Sequence, residues 1–115
     1  MTGPVARSLQ WYRKQGYFAY SVSRWVPQAL KTIDFAGWGD IIAYSPQLRV
    51  IEACQATTTD HQAARVTKIL SLESAQAWVK AGGQIVVHGW KKGGPRGQRK
   101  LWMLTVTPVG FKGEA

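Results

Sequence analysis

The stretch Ile33–Thr57, IDFAGWGDIIAYSPQLRVIEACQAT, decides how the rest of the chain is read. Its two apolar runs, Trp38–Tyr44 and Leu48–Thr57, flank Ser45-Pro46-Gln47, where proline suits an early turn position. They predict two antiparallel strands joined by a tight turn. Asp40 opens the first strand; Glu52, Gln55 and Thr57 lie on the second. Side chains alternate faces along a strand, so Gln55 and Thr57 share one face with Ala53 and Ile51, while Glu52 and Cys54 share the other. A one-residue slip in pairing exchanges the set that stands on the side of Asp40. Spacing alone therefore leaves both sets open.

Outward from this hairpin, Val5, Leu9 and Tyr12 recur at helical spacing and predict a helix over Pro4–Gln15, stopped by Gly16. Tyr17–Val26 reads as one strand ended by Pro27, and Gln28–Gly37 as a loop or short helical turn. After the hairpin, Asp60 is the expected N-cap of a helical stretch reaching Ala81, interrupted at Ser71 or Ser74 and closed by Gly82-Gly83. Gln84–Trp90 is an apolar strand, Lys91–Lys100 a basic glycine-rich loop and Leu101–Thr107 the last strand, with fraying expected after Pro108. The order is helix, three strands, helix, two strands. That predicts an α/β fold with a central mixed sheet flanked by helices, and at least one parallel pair across the late strand–helix–strand crossover.

Composition bounds the function. A chain of 115 residues without repeat or linker reads as one domain, residues 1–115. Fifteen Lys and Arg against six acids leave a net charge of +9, which favours a polyanionic partner. The single Cys54 excludes an internal disulfide or a cysteine zinc site. No apolar run is long enough to cross a membrane, and the N-terminal residues lack the apolar centre of a signal peptide, so a cytoplasmic location is expected. There is no P-loop, dinucleotide fingerprint or G-x-S-x-G, so no nucleotide cofactor is expected. Most of the six Trp are expected in the core, with one or two left exposed for stacking.

The pattern resembles the PD-(D/E)XK nuclease superfamily, in particular its small Holliday junction resolvase-like and phage-type members, over Tyr12–Val106. The helix–three strands–helix–strand order is that superfamily's core, restriction endonuclease-like and written αβββαβ, here with an extra C-terminal strand. Asp40 matches the metal-binding aspartate, with Gly37-Trp38-Gly39 in place of the usual proline. Gln55-Ala56-Thr57 is a Q-x-T counterpart of the acid-x-lysine step, followed by a helix carrying Arg65 and Lys68. Glu52-Ala53-Cys54 is the rival placement, keeping the acid but setting a thiol where lysine stands.

The resemblance implies a metal-dependent DNA endonuclease that hydrolyses phosphodiesters and acts as a homodimer on branched DNA. Asp40, Gln55, Thr57 and Lys68 would be its catalytic set; Asp40 with Gln55, or else Glu52, would hold Mg²⁺ or Mn²⁺. Mg²⁺ prefers hard oxygen donors, and Gln55 would offer a neutral one. Lys31 or Lys68 would replace the missing lysine, and Asp34 would supply a second carboxylate or cap a turn.

Lys91, Lys92, Arg96, Arg99 and Lys100 form the densest basic cluster and, with Lys31 and Arg65, the expected DNA-binding set. Arg7, Arg13 and Lys14 extend it on the first helix, where Trp11 is either core or a stacking surface. His88, in an apolar strand, is expected to be structural. Two other classes remain open: a DNA-binding module of the same fold without catalysis, and a basic protein that binds or inhibits an acidic partner.

Overall fold

Ile41 pairs with Cys54 and Ser45 with Val50, an antiparallel register that fixes the faces of the central hairpin. The computed structural model describes residues 3–111. Helix α1 spans Pro4–Lys14, followed by β1 (Phe18–Ser21), β2 (Arg24–Val26), β3 (Lys31–Ile33), β4 (Ile41–Ser45) and β5 (Val50–Thr58). Helices α2 (Gln62–Leu70) and α3 (Glu73–Lys80) come next, then β6 (Gln84–Gly93) and β7 (Leu101–Val109). Five strands form one mixed sheet in the order β1-β4-β5-β6-β7; β2 and β3 pair separately. Only β5 and β6 run parallel in it, joined by the α2–α3 crossover. The fold is α/β with a central mixed sheet flanked by helices, as the residue pattern implies.

Each face of the sheet buries its own core. Tyr12 of α1 packs on Ala19, Ile41, Ala43, Cys54 and Val86. On the opposite face Ile69 of α2 and Ala75 of α3 pack with Trp38, Ala53, Ile85, Val87 and Val109. This explains the apolar middle of β6: a strand covered on both faces cannot alternate with polar residues. Gln62, buried at the start of α2, places its amide nitrogen 3.0 Å from the Val87 carbonyl and 2.9 Å from that of Thr105. It can sit that close because β6 has Gly89 beneath it, where a Cβ would overlap the Gln62 amide.

Several boundaries differ from the sequence reading. Tyr17–Val26 is two strands: the chain leaves the main sheet after Ser21 and pairs Arg24–Val26 with Lys31–Ile33 around a turn at Pro27–Leu30. Alternation and β-branched content carry no information on which partner a strand takes. The central turn occupies Pro46–Arg49, so β5 begins at Val50, and Arg49 adopts φ 57°. Asp60 does not cap α2. It lies in a 3-10 turn over Thr59–His61, with its carboxyl held below the usual range chiefly by the Thr58 hydroxyl. Ser71 breaks the helical stretch, its hydroxyl donating to the Lys68 carbonyl at 2.6 Å. Strand β6 extends through Gly93, so Lys91 and Lys92 are strand residues. Val109 is buried and Phe111 packs on the core, so the chain does not fray directly after Pro108. Among the described residues no helix is long and apolar enough to cross a membrane.

Candidate functional site

Asp40 lies in the bend just before β4, one residue beyond the last register pair, Ile41–Cys54. Its backbone N–H donates to the Cys54 carbonyl at 2.9 Å, and its carbonyl accepts the Val22 N–H at 2.8 Å. The acid is thus held between β5 and the end of β1. The charged groups that bear on its carboxyl are Asp34 and, on α2, Arg65, which sets it toward the side of α2 and α3, where Ile42 packs. Ala53, Gln55 and Thr57 of β5 share that face. Among the residues weighed from sequence, the structure therefore brings Asp40, Gln55 and Thr57 together.

Glu52 lies on the other face. Its carboxylate accepts the Tyr12 hydroxyl of α1 at 2.5 Å, and both side chains are buried. The rival placement through Glu52-Ala53-Cys54 fails on this geometry, since the sheet separates Glu52 from Asp40. Cys54 is fully buried beside Tyr12, and burial pushes its thiol well above the ordinary value, so it is no nucleophile.

The Asp40 carboxyl is 8 % exposed, and its Oδ2 accepts the Ala56 backbone N–H at 3.0 Å. Burial pushes its pKa up to about 6. The Ala56 N–H works against that rise, the neighbouring Asp34 carboxyl adds to it, and the Arg65 guanidinium opposes it. A cation bound at the Asp40 carboxyl would favour its charged form against that burial. Gln55 is 3 % exposed, and its Oε1 has no hydrogen-bond partner. A buried carbonyl oxygen left unpaired costs about 1–3 kcal/mol. Its placement beside Asp40 gives that oxygen a use.

Asp40, Asp34 and Gln55 offer oxygen donors alone, which fits a hard divalent cation such as Mg²⁺ or Mn²⁺. Among the described residues no three His, Cys, Asp or Glu side chains cluster as a metal site. The fit therefore rests on two carboxyls and an amide oxygen. The cation whose charge reaches Asp40 is Arg65, half-buried on α2. Lys68 stands exposed three residues further along that helix, and Lys31 stands exposed on the separate β2–β3 pair. Neither lysine is among the groups whose charge bears on the Asp40 carboxyl. Sequence reading missed the Ala56 N–H because a backbone donor leaves no mark in the residue pattern.

The basic residues remain uncompensated. Among the described residues the one ion pair joins His61 and Asp60 at 3.7 Å, both exposed. Arg96, Arg99 and Lys100 occupy the exposed connection after Gly93, and Lys91 and Lys92 stand exposed on β6 before it. His88 is fully buried on the α1 face, its Nδ1 2.8 Å from the Ser8 hydroxyl, so it is structural. Four of the Trp are buried or half-buried, while Trp25 and Trp102 are exposed.

Compared with known proteins, the chain matches no family model, and no curated protein or solved structure matches it.

Proposed function

We propose that this chain is a metal-dependent DNA endonuclease of the PD-(D/E)XK type. The observation that supports it most is the unpaired, buried Gln55 Oε1 on the strand whose next residue, Ala56, holds the Asp40 carboxyl through its N–H. The helix, antiparallel strands β1-β4-β5, crossover helices and parallel β6 follow the order that the resemblance implies. Asp40, Gln55 and Asp34 would hold Mg²⁺ or Mn²⁺, which would supply Lewis acidity toward the phosphoryl oxygen and a lowered pKa for water. Arg65 offers positive charge to the oxygens on which charge develops. Thr57 offers a hydroxyl on the same face to orient the attacking water, and it cannot supply the charge of a lysine.

Lys91, Lys92, Arg96, Arg99 and Lys100 would follow the phosphate backbone. A homodimer belongs to the same reading. Phe18, Tyr20 and Tyr44 stack into an exposed strip with Ile51, on the face of Asp40 and beyond the reach of α2 and α3, and a second copy would cover it.

The test incubates branched and linear DNA with Mg²⁺ or Mn²⁺. Cleavage that needs the metal and disappears in Asp40→Asn supports the reading. Salt-sensitive binding with no cleavage under either metal favours a DNA-binding module without catalysis, which Thr57 in the place of a lysine in Gln55-Ala56-Thr57 makes the second reading. Absence of DNA affinity at low salt sinks both and leaves a basic protein aimed at an acidic partner.

A further inference from the structure

The face covered by α1, opposite Asp40, carries a groove with a different chemistry. Trp102 of β7 pairs across the strand with Lys92 of β6, and its indole is exposed. The Arg7 guanidinium lies 3.5 Å from the centre of that indole, and the Lys92 ammonium 5.6 Å. A cavity of about 500 Å³ opens here between α1 and the sheet, lined by Arg7, Gln10, Trp11, Lys14, Trp90 and Trp102. A second, of about 530 Å³, shares Trp90 and Trp102 with it and continues to Thr58, Thr59, Lys91 and Lys92, with one carboxylate, Asp60, in its lining. The floor is fixed: Trp90 is buried, and its indole N–H donates to the Ser8 hydroxyl at 2.9 Å, which in turn bonds His88.

Three indoles and three cations converge on the first cavity and its rim, with no carboxylate lining it. Aromatic faces beside unpaired cations recognise a nucleobase joined to phosphate. The base faces of a duplex are hidden in the stack, so a cavity walled by indoles suits an unpaired nucleotide. Cavities of this size are typical of small-ligand sites.

We propose that this groove is a second nucleic-acid subsite, which takes an unpaired nucleotide of a single strand. Its base stacks on Trp102 and Trp11, and its phosphates meet Arg7, Lys14 and Lys92. Thr58, at the rim of the second cavity, directly follows Thr57 of the Asp40 face, so a strand leaving that face at the end of β5 enters the groove. The proposal rests on a nucleic-acid partner and not on cleavage.

The experiment therefore runs on the full chain in EDTA, where cleavage is absent. Tryptophan fluorescence and affinity are measured with a twelve-residue oligothymidylate, a duplex of equal length and thymidine monophosphate. Single-stranded DNA should quench the fluorescence. Trp102→Ala and Arg7→Gln should each weaken single-strand binding about ten-fold or more, with duplex affinity changed less than about three-fold, and Trp102→Phe should retain most of it. Melting curves show that each variant is folded. Equal losses on single strand and duplex, or a Trp102→Ala affinity within about two-fold of wild type, would overturn the subsite. Thymidine monophosphate binding as tightly as the oligonucleotide would replace the strand with a free nucleotide and overturn the proposal as stated.

Discussion

The Asp40 carboxylate accepts the backbone N–H of Ala56 at 3.0 Å, which ties the acid to the centre of the strand that carries Gln55 and Thr57. This one bond sets the frame of the candidate site. The Ala56 N–H, donated to the carboxyl, is the lever that favours its charged form against burial.

Asp40 should give stability and activity opposite pH dependences. Its folded pKa of about 6 lies above the ordinary 3.8. Below pH 4 both folded and unfolded forms are protonated. Between about pH 4 and 6 the unfolded acid is ionised while the folded one keeps its proton, so stability falls as pH rises across that window and levels off above 6. Asp40→Asn should therefore raise stability at pH 8 by an amount on the order of 1–3 kcal/mol and give no gain near pH 4, as read by urea unfolding. Metal binding needs the carboxylate, so wild-type cleavage should rise through pH 6.

His88 acts in the reverse sense over an overlapping window. Burial lowers its pKa to about 4, so the stability it contributes is present above pH 6.5 and is lost as pH falls toward 4. In wild type the Asp40 effect offsets part of that loss. Asp40→Asn should remove the offset, so its stability should drop more steeply between pH 6.5 and 4 than that of wild type. Parallel slopes for the two proteins would show that the Asp40 pKa is not raised.

Glu52 and Gln55 separate by substitution. Gln55→Ala should lower metal-dependent cleavage at least about ten-fold with the fold intact. Glu52→Gln should leave cleavage within about two-fold. Tyr12→Phe removes the hydroxyl that donates to Glu52 and leaves a buried carboxyl without it, so it should destabilise by about 1–3 kcal/mol without a specific effect on activity.

Gly89 and Gln62 should be energetically coupled. A methyl group at Gly89 overlaps the Gln62 amide and would displace it from the Val87 and Thr105 carbonyls. Gly89→Ala should cost about 2–3 kcal/mol. In Gln62→Ala the added methyl should cost much less, which a double-mutant cycle of unfolding free energies measures.

The basic residues should act through salt. Arg96→Ala and Arg99→Ala should weaken duplex binding regardless of sequence. The slope of log affinity against log salt should become shallower by about 0.9 for each phosphate that the protein no longer neutralises.

By itself the sequence determined the helices and the five strands of the main sheet in their order, but not the separate β2–β3 pair. The helical spacing of Val5, Leu9 and Tyr12, the Pro46 turn and the Gly82-Gly83 stop are local signals, and local backbone preferences act on them wherever the chain goes. It also determined the unbalanced positive charge and a short list around Asp40. Pairing partners were decided by tertiary structure alone. Arg24–Val26 looks like a continuation of β1 until it pairs with Lys31–Ile33. Glu52 and Gln55 looked interchangeable until the Ile41–Cys54 register sent Glu52 to Tyr12 and Gln55 to the face of α2 and α3. The period of a strand is two residues, so a single step of register moves every side chain to the other face. Only long-range packing on α1, α2 and α3 selects that step. Arg7 and Trp102 meet for the same reason: ninety-five positions apart in the chain, they are joined because α1 packs on β6 and the Arg7 side chain reaches Trp102 of the neighbouring β7.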